Sequence, residues 1–220
     1  MKKELRKRII TSIFLLILFT AMILYTFVLI VSLFIIGIIA WIEFYALISK
    51  IFKKNNFKDK TLRFFYKALS LLYLSILVLF IINTNSNTSE FKIIVIYSIC
   101  ISIMTDIGGL VFGKTFKGKK LTKISPKKTI SGSLGSFIFS LILVPIFISY
   151  YTEYTVLELL MITLCISFIS QVGDLYISHL KRLAGVKDTS DLLPGHGGVL
   201  DRIDGIILSV PAGIFLFNIT

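Results

Sequence analysis

Four aspartates lie where a hydrocarbon environment should forbid them. Asp106 and Asp174 fall inside apolar runs, and Asp201 and Asp204 open another. An ionised Asp at mid-bilayer costs about 2.5–3.5 kcal/mol, so each needs a partner or a wet cavity. Asp201 and Asp204 are three residues apart, which on a helix places them on one face. Two carboxylates held that close repel unless a cation sits between them. Oxygen-only ligands favour a hard divalent ion such as Mg²⁺, which takes few carboxylates and keeps positions for phosphate oxygens and water. The plainer alternative is that each Asp caps a helix or pairs with a Lys or Arg. The grouping, beside a loop suited to anions, favours the metal.

That loop is Leu193-Pro194-Gly195-His196-Gly197-Gly198. Its glycines permit a tight backbone whose N–H groups turn toward one point, and an apolar helix is expected to begin immediately after it. The positive end of that helix faces the same point. Lys181, Arg182 and Lys187 lie just upstream. The expected ligand is an anion of several charges next to a cation, as in a di- or triphosphate chelated to Mg²⁺. A second stretch, Ile124-Ser125-Pro126-Lys127-Lys128-Thr129, brings hydroxyls and lysines in front of another helix and offers a further phosphate-friendly surface. No serine nucleophile elbow or zinc-protease motif is present.

The elements that must hold these residues are membrane helices. Hydrophobic residues make up 55% of the 220 residues and charged residues 16%, against about 25% charge in soluble domains. Residues 9–49 contain one charge, Glu43. A single helix of that length would run about 61 Å, twice the hydrocarbon core, so it reads as two spans, 9–28 and 31–49. Further spans are expected at 64–82, 91–112, 134–151, 155–180 and 199–219. The expected fold is all-α, a polytopic bundle of about seven transmembrane helices forming a single domain over 1–220, with its active portion in 100–220. The first run is too long for a signal peptide and lacks a small-residue cleavage site. Cys100 and Cys165 lie in apolar runs and give no disulfide framework or thiolate metal site.

Charge placement orients the spans. With the N-terminus inside, segments 1–8, 50–67, 113–133 and 181–202 carry 23 of the 24 Lys and Arg residues, while the outer connections 83–90 and 152–154 carry none. This is the positive-inside distribution, with a cytoplasmic N-terminus. The net charge of +12 therefore reads as topology and contact with lipid head groups rather than nucleic-acid binding. All four aspartates fall in the inner portions of their spans, which suggests one inward-facing polar pocket. A cation or phosphate pathway would need polar residues continuing outward, and the outer halves contain almost none.

Several segments together resemble a known family. Ser178-His179-Leu180-Lys181-Arg182, then Lys187-Asp188, then Leu193-Pro194-Gly195-His196-Gly197-Gly198-Val199-Leu200-Asp201-Arg202-Ile203-Asp204 resembles the signature of phosphatidate cytidylyltransferases. Gln171-Val172-Gly173-Asp174-Leu175 is similar to the segment leading into it, Ile124–Thr129 to the family's other inner-loop motif, and Trp41-Ile42-Glu43-Phe44 to a weaker early one. The chain departs at Ser131, where many members have Glu, at Lys114 in place of a usual Arg, and at Gly109-Leu110, where Ala-Tyr is common.

The resemblance implies transfer of a cytidylyl group from CTP to phosphatidate at the cytoplasmic face of an inner membrane, by a protein that is a homodimer. It implies Mg²⁺, with room for a second cation, held by Asp174, Asp201 and Asp204. Lys181 joins those three as catalytic, and Ser125, Lys128, Thr129, Arg182, Lys187, Asp188, His196, Gly197, Gly198, Arg202 and Asp106 are the expected substrate contacts. Arg202 alternatively pairs with Asp174 or Asp188. A CTP-dependent kinase of polyprenol or another lipid alcohol is the competing enzymatic reading, with ion or phosphate transport behind it.

Overall fold

Helix α1 (Lys2–Leu24) and helix α2 (Thr26–Ile51) are separated by one residue, Tyr25, whose extended backbone (φ −118°, ψ 111°) interrupts the winding. The computed structural model describes residues 2–54, 56–85, 89–122 and 124–219. The break was expected at 28–31 and falls earlier. Tyr25 N–H still reaches the Ala21 carbonyl and Leu29 N–H the Tyr25 carbonyl, so the chain turns without leaving a backbone group unpaired. The centre of the expected outer loop 83–90, residues 86–88, lies outside the described residues.

The remaining helices are α3 (Phe57–Asn85), α4 (Ser89–Phe116), α5 (Ile130–Leu141), α6 (Val144–Phe147) leading into a 3-10 turn (Ile148–Tyr150), α7 (Val156–Leu183), α8 (Leu200–Ile203) and α9 (Ile206–Ile219). The protein is all-α and multi-pass. Among the described residues, five helical segments are long and apolar enough to cross a membrane: Thr26–Ile51, Phe57–Leu79, Lys92–Phe116, Ile130–Tyr150 and Val156–Leu183. Of the seven expected spans, the first has an apolar part, Ile9–Leu24, shorter than these, and the last is broken. α5 stops at Leu141, four residues before Pro145, which has no N–H to give that carbonyl.

The chain divides into two compact units. One comprises residues 1–86 and 180–203. There α1 packs on α2, α2 on α3, and α8 on α2. The Trp41 indole donates to the Lys67 carbonyl at 3.3 Å, and the Lys67 ammonium lies 3.2 Å from the Tyr45 ring centroid. The last turn of α7 ends in a Schellman motif: Val186 N–H bonds the Lys181 carbonyl, Gly185 N–H bonds the Arg182 carbonyl, and Gly185 takes φ +69°.

The other unit comprises residues 87–179 and 204–220. Its helices meet through small residues, as membrane helices do when packing must replace the hydrophobic effect. Gly109 and Gly113 of α4 face Gly132 and Ser136 at the start of α5, and a Cβ on Gly109 would lie 2.8 Å from Ser136 Oγ. α4 and α7 share the hydroxyl pairs Tyr97–Thr163, Ser102–Ser170 and Thr105–Ser167 at 2.6–2.8 Å. The offsets of 66, 68 and 62 residues stay nearly constant, so the two helices run parallel. Thr155 and Glu158 form a capping box that starts α7. The core gathers Tyr97, Ile101, Tyr151, Ile166 and Phe217, with the Tyr151 and Phe217 rings stacked at 4.6 Å.

Candidate active site

In the first unit, the connector from α7 to α8 forms a polar region around Asp201. Lys181, fixed by the Schellman motif at the end of α7, donates to Asp201 Oδ1 at 2.6 Å. Asp201 Oδ2 accepts Thr189 N–H at 2.8 Å, Thr189 Oγ1 at 3.0 Å and Gly198 N–H at 3.0 Å. The pair is buried, with side chains 11% and 4% exposed. Burial pushes the Asp201 carboxyl up. The Lys181 ammonium and the N–H groups of Thr189 and Gly198 outweigh that and hold it below its ordinary value.

The glycine loop is a tight turn. His196 N–H reaches the Leu193 carbonyl at 2.8 Å and Leu193 N–H the Gly197 carbonyl at 2.9 Å, with Gly195 at φ +77° and Gly197 at φ +82°. At Gly197 the conformation and the space both demand glycine, because a Cβ would stand 2.9 Å from Asp201 Oδ2. Lys187, Asp188, Asp191, His196, Gly197 and Arg202 line a cavity of about 740 Å³, a size that suits a small-molecule ligand. Lys187, Asp188, His196, Gly197 and Arg202 are thus brought to one cavity.

Two details of this region differ from expectation. The N–H groups around the start of α8 do not wait for a ligand. Gly198 donates to Asp201, Val199 to Glu43 Oε1 at 3.0 Å, and Leu200 to Glu43 Oε2 at 2.8 Å. The anion at this positive end is the protein's own, because Glu43 of α2 is buried against it. Arg202 does not pair with Asp188; its Nε and Nη2 clasp the His196 carbonyl at 3.0 and 2.6 Å. That bond closes the glycine loop onto α8.

In the second unit, the segment before α5 folds back on itself. Leu121 N–H bonds the Lys128 carbonyl, Lys128 N–H the Ser125 carbonyl, and Ile130 N–H the Lys119 carbonyl. Lys128 forms an ion pair with Asp174, which also accepts from Ser178 at 3.3 Å. The Thr129 hydroxyl accepts Gly132 N–H at 3.0 Å as the N-cap of α5. It is thereby committed to the helix start. Ser125 is half-buried and Asp106 exposed on α4, while Arg182 is exposed and donates to the Val186 carbonyl.

The expected continuous helix 199–219 is broken at Asp204-Gly205. Asp204 Oδ1 accepts Gly205 N–H at 2.9 Å, a local bond that competes with helical winding. A Cβ on Gly205 would lie 2.6 Å from Ser170 Oγ and 2.8 Å from Ser102 Oγ, so only glycine fits there. Asp201 therefore belongs to α8, whereas Asp204 stands in the turn before α9. Gly173 lets α7 approach that turn, since a Cβ there would come within 2.6 Å of the Asp204 carbonyl. Asp174 follows Gly173 directly.

Among the described residues, no group of three or more His, Cys, Asp or Glu side chains is arranged to hold a metal ion. The donor chemistry still fits Mg²⁺, which is usually held by one or two carboxylates with substrate phosphates and water completing the shell. Asp201 Oδ1 accepts one bond against three at Oδ2, so the former retains an acceptor position. Glu43, Thr189 and Ser190 are the residues of this region that sequence reasoning passed over. The signal was present: a single charge in a long apolar stretch requires a partner.

The family model for the cytidylyltransferase family matches residues 1–220. Over 172 residues the chain is 37% identical to the phosphatidate cytidylyltransferase of Staphylococcus aureus strain COL, covering 77% of this chain and 64% of that protein. The chain thus spans less than two thirds of the staphylococcal relative's length. Over 163 residues it is 37% identical to the Rickettsia prowazekii protein of the same name, covering 70% of each. Over 126 residues it is 42% identical to that of Rickettsia felis.

Proposed function

We propose that this chain, which belongs to the cytidylyltransferase family, transfers the cytidylyl group of CTP to phosphatidate, giving CDP-diacylglycerol and pyrophosphate. The observation that carries the reading is a cavity of about 740 Å³ with Lys187, Arg202 and His196 on its wall, in a chain of membrane-length apolar helices. A substrate whose acyl chains stay in lipid while its head group meets a soluble nucleotide needs that combination. The relatives' name supports the same reaction.

A phosphate oxygen of phosphatidate is itself the nucleophile, so the protein supplies none. That oxygen bonds the α-phosphorus of CTP, the α–β bridging P–O bond breaks, and its electrons leave with pyrophosphate. The protein's work is alignment and charge compensation. Lys187 and Arg202, whose Nη1 is not used in the clasp on His196, bind triphosphate oxygens. Lys128 and Lys181 are already held by Asp174 and Asp201 and present ammonium groups in fixed positions. Asp174, Asp201 and Asp204 are the carboxylates that would hold Mg²⁺, which would supply positive charge to the phosphates. Ser125, Arg182, Asp188, His196, Gly197 and Asp106 complete the proposed substrate contacts.

The same reading places the site on the cytoplasmic face of an inner membrane, from the one-sided distribution of basic residues, and takes the protein as a homodimer. Purified protein in detergent, given labelled CTP, Mg²⁺ and phosphatidate, tests the reaction. CDP-lipid with pyrophosphate is expected. CDP with a phosphorylated lipid alcohol, or no turnover, refutes it.

A further inference from the structure

Glu43 carries a charge into α2 and is 4% exposed, yet the proposed chemistry does not use it. Its carboxylate accepts four hydrogen bonds, all from the connector: Thr189 Oγ1 at 2.7 Å, Ser190 Oγ at 2.6 Å, Val199 N–H at 3.0 Å and Leu200 N–H at 2.8 Å. These partners lie 146–157 residues away in sequence. A carboxylate has about four lone-pair sites, so Glu43 is saturated. Gly198 is glycine for the same reason, because a Cβ there would collide with the Glu43 carboxylate and with Thr189 Oγ1.

The Thr189 hydroxyl has one hydrogen and lies between two carboxylates, 2.7 Å from Glu43 Oε2 and 3.0 Å from Asp201 Oδ2. Thr189 N–H and Gly198 N–H also converge on Asp201 Oδ2. The backbone that Glu43 holds is therefore the backbone that sets the Asp201 carboxylate. Neither surface charge nor solvent can substitute, since both acids are buried.

We infer that Glu43 is a positioning residue: from within the membrane helix it latches the 189–200 connector, through Thr189 and the start of α8, and so fixes Asp201. This rests on the proposed reaction only for its effect on turnover; the latch itself is a structural claim. Residues that orient a ligand from one step behind it commonly cost 10–100-fold when replaced.

The test is Glu43→Gln in the full chain, read by amide hydrogen exchange and by kinetics. The amide NH₂ of Gln would face a donor, so backbone protection at Val199 and Leu200 should fall about tenfold or more while α3 and α7 keep theirs. With CTP and phosphatidate, kcat should fall about 10–100-fold and the Mg²⁺ concentration for half-activity should rise, with KM for CTP within about threefold. Glu43→Asp should restore part of the protection and of kcat. Unchanged exchange at 189–200, or kcat within about twofold of wild type with the connector opened, overturns the inference. Should Glu43→Gln lose protection throughout, Thr189→Val decides, because it removes the shared hydroxyl and leaves Glu43 in place. Opening confined to the connector supports the latch, and an unchanged connector overturns it. If the wild type turns over neither substrate, the proposed reaction fails and the exchange result still judges the latch.

Discussion

Replacing Asp201 by Asn removes the acceptor of a buried lysine while conserving shape. Asp201 and Lys181 are 4% and 11% exposed, so solvent screens their pairing little. Breaking a buried pair by removing one partner costs about 3–5 kcal/mol. The Asn oxygen can still accept from Thr189 and Gly198, which places the cost near the lower end, about 3 kcal/mol, or two orders of magnitude in the folding equilibrium. Lys181→Met removes the ammonium and leaves Asp201 with its remaining donors. The double variant leaves no buried charge of the pair unmatched and should recover about 2 kcal/mol of the summed single losses. The assay is a double-mutant cycle on unfolding in mixed micelles, titrated with denaturing detergent. Additive losses, with coupling under about 0.5 kcal/mol, would show that Lys181 does not anchor Asp201. Turnover should be lost in both Asp201 variants whatever the stability result.

Gly197→Ala should lose about 1–2 kcal/mol from its left-handed backbone and crowd Asp201 Oδ2, lowering activity while the far-ultraviolet spectrum stays helical. Gly109→Leu should wedge α4 from α5, where a Cβ already meets Ser136 Oγ at 2.8 Å, and lower the unfolding midpoint; an unchanged midpoint contradicts the small-residue packing. Ser102→Ala should cost about 0.6 kcal/mol, typical of a hydroxyl bond between membrane helices, when measured by the same detergent titration. Asp201 titrates below its ordinary value when folded, so its ionised form favours the folded state above the unfolded pKa of about 3.9. That contribution disappears as pH falls through the lower folded value. The stability difference between wild type and Asp201→Asn should thus be flat from about pH 5 to 8 and shrink only below about pH 4.

Much of this arrangement is legible along the chain because lipid imposes simple rules. Apolar run length locates α2, α3, α4, the α5–α6 segment and α7. Lys187, Asp188, His196, Gly197 and Arg202 share a cavity because a short connector with two left-handed glycines can fold no other way than tightly. What escapes the sequence depends on partners far along the chain. The Val199 and Leu200 N–H groups looked available for a ligand because nothing local occupies them; Glu43, more than 150 residues earlier, does. The break at Asp204-Gly205 is hidden for a similar reason. Run length does not register that Asp204 Oδ1 takes the Gly205 N–H, or that Ser102 and Ser170 close on Gly205. Gly109 and Gly113 belong to a readable small-residue pattern, yet their partners on α5 could not be named without the packing.

The most direct test of the proposed reaction follows the two ends of the triphosphate separately. Protein reconstituted into lipid discs with phosphatidate and Mg²⁺ is given CTP labelled at the α-phosphorus or at the γ-phosphorus. The α label should enter the organic phase as CDP-lipid while the γ label appears in aqueous pyrophosphate. Organic-phase γ label, or α label left entirely in water, would contradict it.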